Sequence, residues 1–164
     1  MAAPTPSQTV GPFFSFALTD RPMAELAPPD APGAIRIGGR VLDGAGDPVS
    51  DAVVEIWQAD ESGSYAAGRF GRCGTSADGS YRFVTVKPGP VEGAPHVVVM
   101  VFARGLLKQV LTRMYFPDEE ANASDPVLAA AGERAGTLVA RTDGDGFAFD
   151  VHLQGDEETA FFEL

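Results

Sequence analysis

Two histidines, one cysteine and three tyrosines are the residues of this 164-residue chain best suited to nucleophilic or metal chemistry. His96 stands out, because it opens the apolar run Val97-Val-Val-Met-Val-Phe102 just behind the turn Pro88-Gly-Pro90. An imidazole at a strand start can be aimed at a metal, yet a working site needs more donors than one. His152 and Cys73 lie far from it in sequence, so no soft or imidazole-rich site closes from local spacing. A lone histidine on an apolar strand is more commonly a hydrogen-bonded core residue than a ligand. Arg104 shares the His96 face eight residues further on. At about 3.3 Å per residue the two are roughly 26 Å apart. Arg104 therefore cannot serve a site at His96 in the same chain, and it reads as a surface cation or as a group aimed beyond its own domain.

Other chemistries find little support. Cys73 beside Arg72 reads as a small core residue rather than a reactive thiol, and His152 as a surface imidazole on the polar face of its strand. Asp143-Gly-Asp-Gly146 resembles a calcium loop, but a third acidic ligand is missing and the twelfth position is Gln154, so a hairpin turn is expected. No G-x-S-x-G, H-E-x-x-H, P-loop or C-x-x-C run occurs.

The elements that position these residues are mostly strands. Residues 1–33 carry seven prolines, which exclude a helix or a central strand there, while Phe13, Phe14, Phe16 and Leu18 are too apolar for a solvated tail. An arm over residues 1–33 is expected, packed either on its own domain or, the reading preferred, on a neighbouring subunit. Strands are expected over 34–43, 53–58, 81–86, 96–104 and 106–116. Two short helices are expected over 118–137, broken at Pro126, then a hairpin of 137–141 with 147–154. Both faces of the 96–104 segment are apolar, which places it in the middle of the structure. Residues 34–164 thus read as one mainly β domain, an antiparallel β-sandwich with an extended N-terminal arm and short helices.

Charge and composition narrow the partners. Twelve basic against 23 acidic residues give a formal charge of −11, which opposes binding to nucleic acid or an anionic membrane. An anionic small molecule would need a local cation. The longest strongly apolar run, Val97 to Ala103, is too short to cross a bilayer. Arg21 is the first cation, so the start lacks the basic region of a secretory signal, and the unpaired Cys73 favours a reducing, cytoplasmic location.

An ordered series of motifs resembles the intradiol ring-cleaving dioxygenases. The pieces are Thr5-Pro-Ser-Gln-Thr-Val-Gly-Pro-Phe13, Gly39-Arg-Val-Leu-Asp43, Val54-Glu-Ile-Trp-Gln-Ala-Asp60, Gly63-Ser-Tyr65, Phe70-Gly-Arg72, Val86-Lys-Pro-Gly89, Ala94-Pro-His96, Val101-Phe-Ala-Arg-Gly105, Arg113-Met-Tyr-Phe116 and Phe161-Phe162. The resemblance implies the family's prealbumin-like sandwich, and a long loop looks trimmed between Tyr65 and Phe70. In this family a catalytic beta subunit holds Fe(III) with two tyrosinates and two histidines. By motif the tyrosines fall on Tyr65 and Val91, the histidines on His96 and Val98, and an assisting arginine on Gly93. Val91 and Val98 cannot donate to iron, a departure that is the pattern of the family's alpha subunits.

The resemblance then implies a hetero-oligomer in which this chain binds no metal, and Tyr65, Val91, His96 and Val98 are vestigial ligand positions. Thr9, Gly11 and Pro12 of the arm, together with Arg104, are expected to border the substrate pocket of the adjoining beta chain. The implied reaction, in aromatic catabolism by the beta-ketoadipate route, is O₂-dependent cleavage of 3,4-dihydroxybenzoate to 3-carboxy-cis,cis-muconate. Arg104 would offset the acidic field that opposes this anionic substrate. Two rival readings are a prealbumin-like or carboxypeptidase-regulatory-like binding module, on the pattern from Gly39 to Val53 with Asp78 to Phe83, and a self-sufficient homomeric enzyme. The ligand count opposes the second.

Overall fold

The structure, a computed structural model, describes residues 4–11 and 13–163. In chain order it contains α1 (Phe14–Leu18), β1 (Ala34–Leu42), β2 (Val53–Gln58), β3 (Arg69–Gly74), β4 (Ser80–Val86), β5 (His96–Phe102) and β6 (Val110–Tyr115). There follow the 3-10 helix η1 (Glu120–Ser124), α2 (Pro126–Ala131), the 3-10 helix η2 (Gly132–Leu138), β7 (Arg141–Asp143), β8 (Gly146–Ala148) and β9 (Val151–His152).

Period-two alternation builds two sheets that share one core. The first runs β4-β1-β8-β7, with β9 also paired to β1, and the second runs β3-β2-β5-β6. Ile37, Tyr81, Phe83, Phe149 and Val151 from the first side meet Val54, Ile56, Val97, Val99, Val101 and Met114 from the second in a single hydrophobic cluster. Each fully buried valine of β5 contributes roughly 1.5–3 kcal/mol relative to an exposed one. A polar link also crosses between the sheets. Gln58 of β2 is fully buried, donates from Nε2 to the Val86 carbonyl at 2.8 Å and accepts from the Thr85 hydroxyl at 3.0 Å. All of its main polar demand is met inside, as burial requires.

Several expectations are corrected. The first sheet is mixed rather than antiparallel, since β8 and β9 both run parallel to β1. Pro88-Gly-Pro90 is the turn between β4 and β5, and it carries the chain from one sheet to the other. The proline-rich segment contains a helix after all: α1 occupies the stretch between Pro12 and Pro22, which is free of proline and long enough for one turn. Met23 to Ala27 is stitched to its own domain. Met23 bridges to Arg72 and Glu25 to Val84, so this part of the segment covers edges of both sheets. Three short helical pieces, not two, span 120–138. Thr137 and Leu138 lie in η2 rather than in the expected hairpin, which is confined to β7 and β8. Its two-residue loop places Gly144 at φ +58, the backbone that such a turn demands of its first central residue. No helix among the described residues is long and apolar enough to cross a membrane.

Candidate functional site

The fold brings the loop leading to Tyr65 and the turn leading to Val91 together through glycines. Gly89 donates its N–H to the Asp60 carbonyl at 2.9 Å, and a Cβ at Gly63 would run into the Pro90 carbonyl. Only glycine permits that approach, and it seats the loop leading to Tyr65 against the turn leading to Val91. The Asp60 carboxylate fixes the first loop by accepting from the Ser62 hydroxyl and from the N–H groups of Ser62 and Ser64. Led by the Ser62 hydroxyl, these bonds hold its pKa below the ordinary carboxylate value.

The donors themselves do not converge into a ferric site. Tyr65 lies half-open and stacks on Trp57, with ring centroids 6.0 Å apart and planes 6° from parallel. His96 is buried at the start of β5, packs against Tyr115 and places Nδ1 2.9 Å from the Ala94 carbonyl. A carbonyl only accepts, so Nδ1 carries the proton and Nε2 keeps the lone pair. Burial holds the His96 pKa below the ordinary imidazole value, with the Arg113 charge adding to the effect and the Ala94 carbonyl opposing it. Val98 follows two residues later on the same face, directly across from Arg113 of β6. Val91 and Val98 have no donor atoms, and among the described residues no group of three or more His, Cys, Asp or Glu could hold a metal. The residues present do not fit a resident Fe(III), which needs more hard anionic and imidazole donors than these.

The position at which the resemblance puts an assisting arginine, Gly93, is also crowded. Gly93 has φ +152, and a side chain there would meet Oδ2 of Asp125. That carboxylate accepts from Ala94 N at 2.9 Å through Oδ2, and through Oδ1 from Val127 N, Leu128 N and the Tyr115 hydroxyl. It thereby caps α2, whose first residue is Pro126. The helix break expected at Pro126 falls between η1 and α2, but the cap from Asp125 and its second task, holding Ala94 two residues ahead of β5, were not foreseen.

Restoring donors tests the ligand argument. The double substitution Val91→Tyr with Val98→His is expected to convert negligible iron uptake into binding with a visible tyrosinate-to-iron band. Retention of the colourless state after ferric loading, in a variant with wild-type thermal stability, would show that the positions are not the vestigial ligands.

Arg104 and the arm meet at the opposite end of β5. Thr9 accepts through Oγ1 from Gly105 N at 2.8 Å, which ties the residue to the turn that carries Arg104. Gly105 holds φ +91, so the turn itself requires glycine. Gly11 is exposed two residues beyond Thr9, and Pro12 lies outside the described residues. Arg104 forms an ion pair with Asp51, closest through Nε, and still exposes 57 % of its side chain. Asp51 was not anticipated, because nothing in Ser50-Asp51 marks it as a partner for a residue more than fifty positions away. Phe16, Asp51, Thr75 and Arg104 help line a recess of about 420 Å³. Phe13 and Phe16 are 76 % and 72 % exposed, far more than an apolar pair needs to be on a finished surface.

The remaining candidates are structural. Cys73 packs on the core and burial pushes its thiol up to about 11, which leaves it protonated and inert. His152 is half-buried, with Nε2 3.9 Å from a Glu157 carboxylate oxygen.

The chain belongs to the family described as Dioxygenase, which matches residues 11–155. Within it, the chain is 41% identical to the "Protocatechuate 3,4-dioxygenase alpha chain" of Burkholderia cepacia, over 98% of this chain and 97% of that one. The alignment runs over 191 positions, more than the 164 residues present, so the relative carries segments that this chain lacks. The "Protocatechuate 3,4-dioxygenase beta chain" of the same organism is 34% identical over 76% of this chain and 66% of its own length. Among solved structures, the dioxygenase domain of a dioxygenase carbohydrate-binding protein fusion from Streptomyces sp. SirexAA-E superposes with a TM-score of 0.66, at 30% identity, covering 93% of this chain and 99% of that one. The family match extends well past Gly39–Phe83, the stretch on which the binding-module reading rests.

Proposed function

We propose that this chain is the alpha subunit of a protocatechuate 3,4-dioxygenase, a non-metal-binding member that completes the active site of a beta chain holding Fe(III). One observation carries the reading: aliphatic residues stand at two of four ligand positions, while the arm is hydrogen-bonded to the turn bearing Arg104 at the far end of the same strand. The chain has given up its own site and keeps a built feature elsewhere.

In this reading the domain over residues 34–164 is an intradiol, prealbumin-like sandwich, and the arm from Thr9 through Pro12 to Phe16 lies on the partner. Phe13 and Phe16 are buried by that contact. The beta chain supplies the iron, which makes the catechol ring reactive to O₂. Arg104 borders the pocket as the cation that receives the carboxylate of 3,4-dihydroxybenzoate. Asp51 grips the Nε side, so the edge formed by the two terminal nitrogens remains for a second carboxylate, the bidentate geometry at which arginine excels. The product is 3-carboxy-cis,cis-muconate. A cytoplasmic setting agrees with the free thiol of Cys73.

Co-expression with a beta chain is the direct test. The chain purified alone is expected to hold well under one tenth of an equivalent of iron and to show no ring cleavage. With the beta chain it co-elutes as a hetero-oligomer that cleaves protocatechuate. Stoichiometric iron and turnover in the chain alone would overturn the proposal in favour of a homomeric enzyme.

A further inference from the structure

Where the second histidine of the ligand set is missing, the structure has a cavity. It measures about 180 Å³ and is lined by Val98, Leu111, Thr112, Arg113, Val127 and Phe162. Four of those six are hydrocarbon side chains, and a dry apolar cavity of about 150 Å³ accepts one benzene ring. Of the other two, Thr112 spends its hydroxyl on the Ala160 carbonyl at 2.8 Å, and Arg113 is charged. Its guanidinium makes one long bond of 3.4 Å, from Nη1 to the Tyr115 hydroxyl, and among the described residues no carboxylate lies within 4.0 Å of it. The neighbouring carboxylate, Asp125, is already engaged with three backbone N–H groups and Tyr115.

We propose that this cavity is a metal-free binding site for a small aryl carboxylate, with the ring against Val98, Leu111, Val127 and Phe162 and the carboxylate on Arg113. A ring-sized apolar space beside a half-buried, unneutralised guanidinium selects for both features at once. A neutral arene leaves the cation unpaired, and a short aliphatic acid leaves the cavity unfilled. The site is distinct from the Arg104 recess, which lies past the other end of β5, and it requires no partner chain. It goes beyond the proposed function, since its ligand is bound and not transformed.

Trp57 supplies the readout. It is the only tryptophan of the chain and pairs in register with Val98 on the same outward face. Benzoate titrated into the full-length chain, followed by Trp57 fluorescence and by ¹⁹F NMR of 4-fluorobenzoate, is expected to bind saturably with a dissociation constant on the order of 1 mM, typical of nine non-hydrogen atoms. Arg113→Met is expected to weaken benzoate at least about tenfold and to leave fluorobenzene within about twofold, because only the ion pair is lost. Val98→Phe, which fills the cavity, is expected to abolish both. Acetate should bind at least about tenfold more weakly than benzoate. Each variant is compared at matched thermal stability, and Arg113→Lys, which keeps the charge, should recover part of the affinity. Absence of saturation in the wild type, or equal benzoate affinity in Arg113→Met and wild type, would overturn the proposal. Activity of the co-expressed complex is a separate readout, so failure here leaves the assignment as an alpha subunit standing.

Discussion

Arg104→Ala in the reconstituted alpha–beta complex raises KM for protocatechuate about 10- to 100-fold, while KM for catechol, which has no carboxylate, changes by no more than about twofold. The magnitude follows from the roughly 1.5–3 kcal/mol that a hydrogen bond to a charged group contributes. The difference between substrates follows from what the variant removes, which in the proposed function is a cation that only the acidic substrate touches. Because the guanidinium is remote from the bond being broken, kcat should fall less than KM rises. The Asp51 pair sharpens the test. Asp51→Asn frees the arginine without deleting it, so its effect on protocatechuate should be several times smaller than that of Arg104→Ala. Equal losses for both substrates in Arg104→Ala would identify a subunit-contact role and remove the carboxylate from the account.

Asp125→Ala is expected to lower stability by about 3 kcal/mol, the sum of a lost helix cap and of buried donors at Ala94 and Tyr115 left without an acceptor. For a domain of this size that corresponds to roughly 6–12 °C in Tm. The pH dependence has a definite sign. Burial pushes the Asp125 carboxyl up, but the N–H groups of Leu128 and Ala94, the Tyr115 hydroxyl and the Val127 N–H outweigh it, so its pKa sits below the ordinary value. A depressed carboxyl stabilises the fold fully above the unfolded pKa of about 3.9 and loses that contribution as pH falls through the lower folded value. The gap between wild type and Asp125→Ala should therefore be constant from pH 5 to 8, as order-of-magnitude bounds, and shrink under about pH 4. Asp125→Asn should also cost stability, since its NH₂ would face a backbone donor. Unfolding curves that coincide at neutral pH would remove Asp125 from its role as the tie between α2 and β5.

The strands that carry continuous apolar or alternating runs were legible in the sequence. β2 is bounded by Val53 and Gln58 as expected, and β5 starts at His96 and ends two residues before the expected Arg104. β3 was not foreseen, because Arg69-Phe-Gly-Arg-Cys-Gly74 has neither pattern and becomes a strand only by pairing with β2. The parallel pairing of β8 and β9 with β1 is a long-range choice that local periodicity cannot encode. At the site, the missing donors are visible in the sequence alone, since valine has nothing to give a metal. Asp51 opposite Arg104, and an Arg113 with no carboxylate partner among the described residues, depend on which strand ends meet, and only the three-dimensional arrangement supplies that.

Gly93 and Asp125 couple the position at which the resemblance puts an assisting arginine to the stability of the fold. An arginine cannot return to position 93 while the carboxylate occupies the space, and the carboxylate cannot leave without unsettling helix and strand together. Under the proposed function, an arginine at position 93 therefore requires a compensating change at position 125.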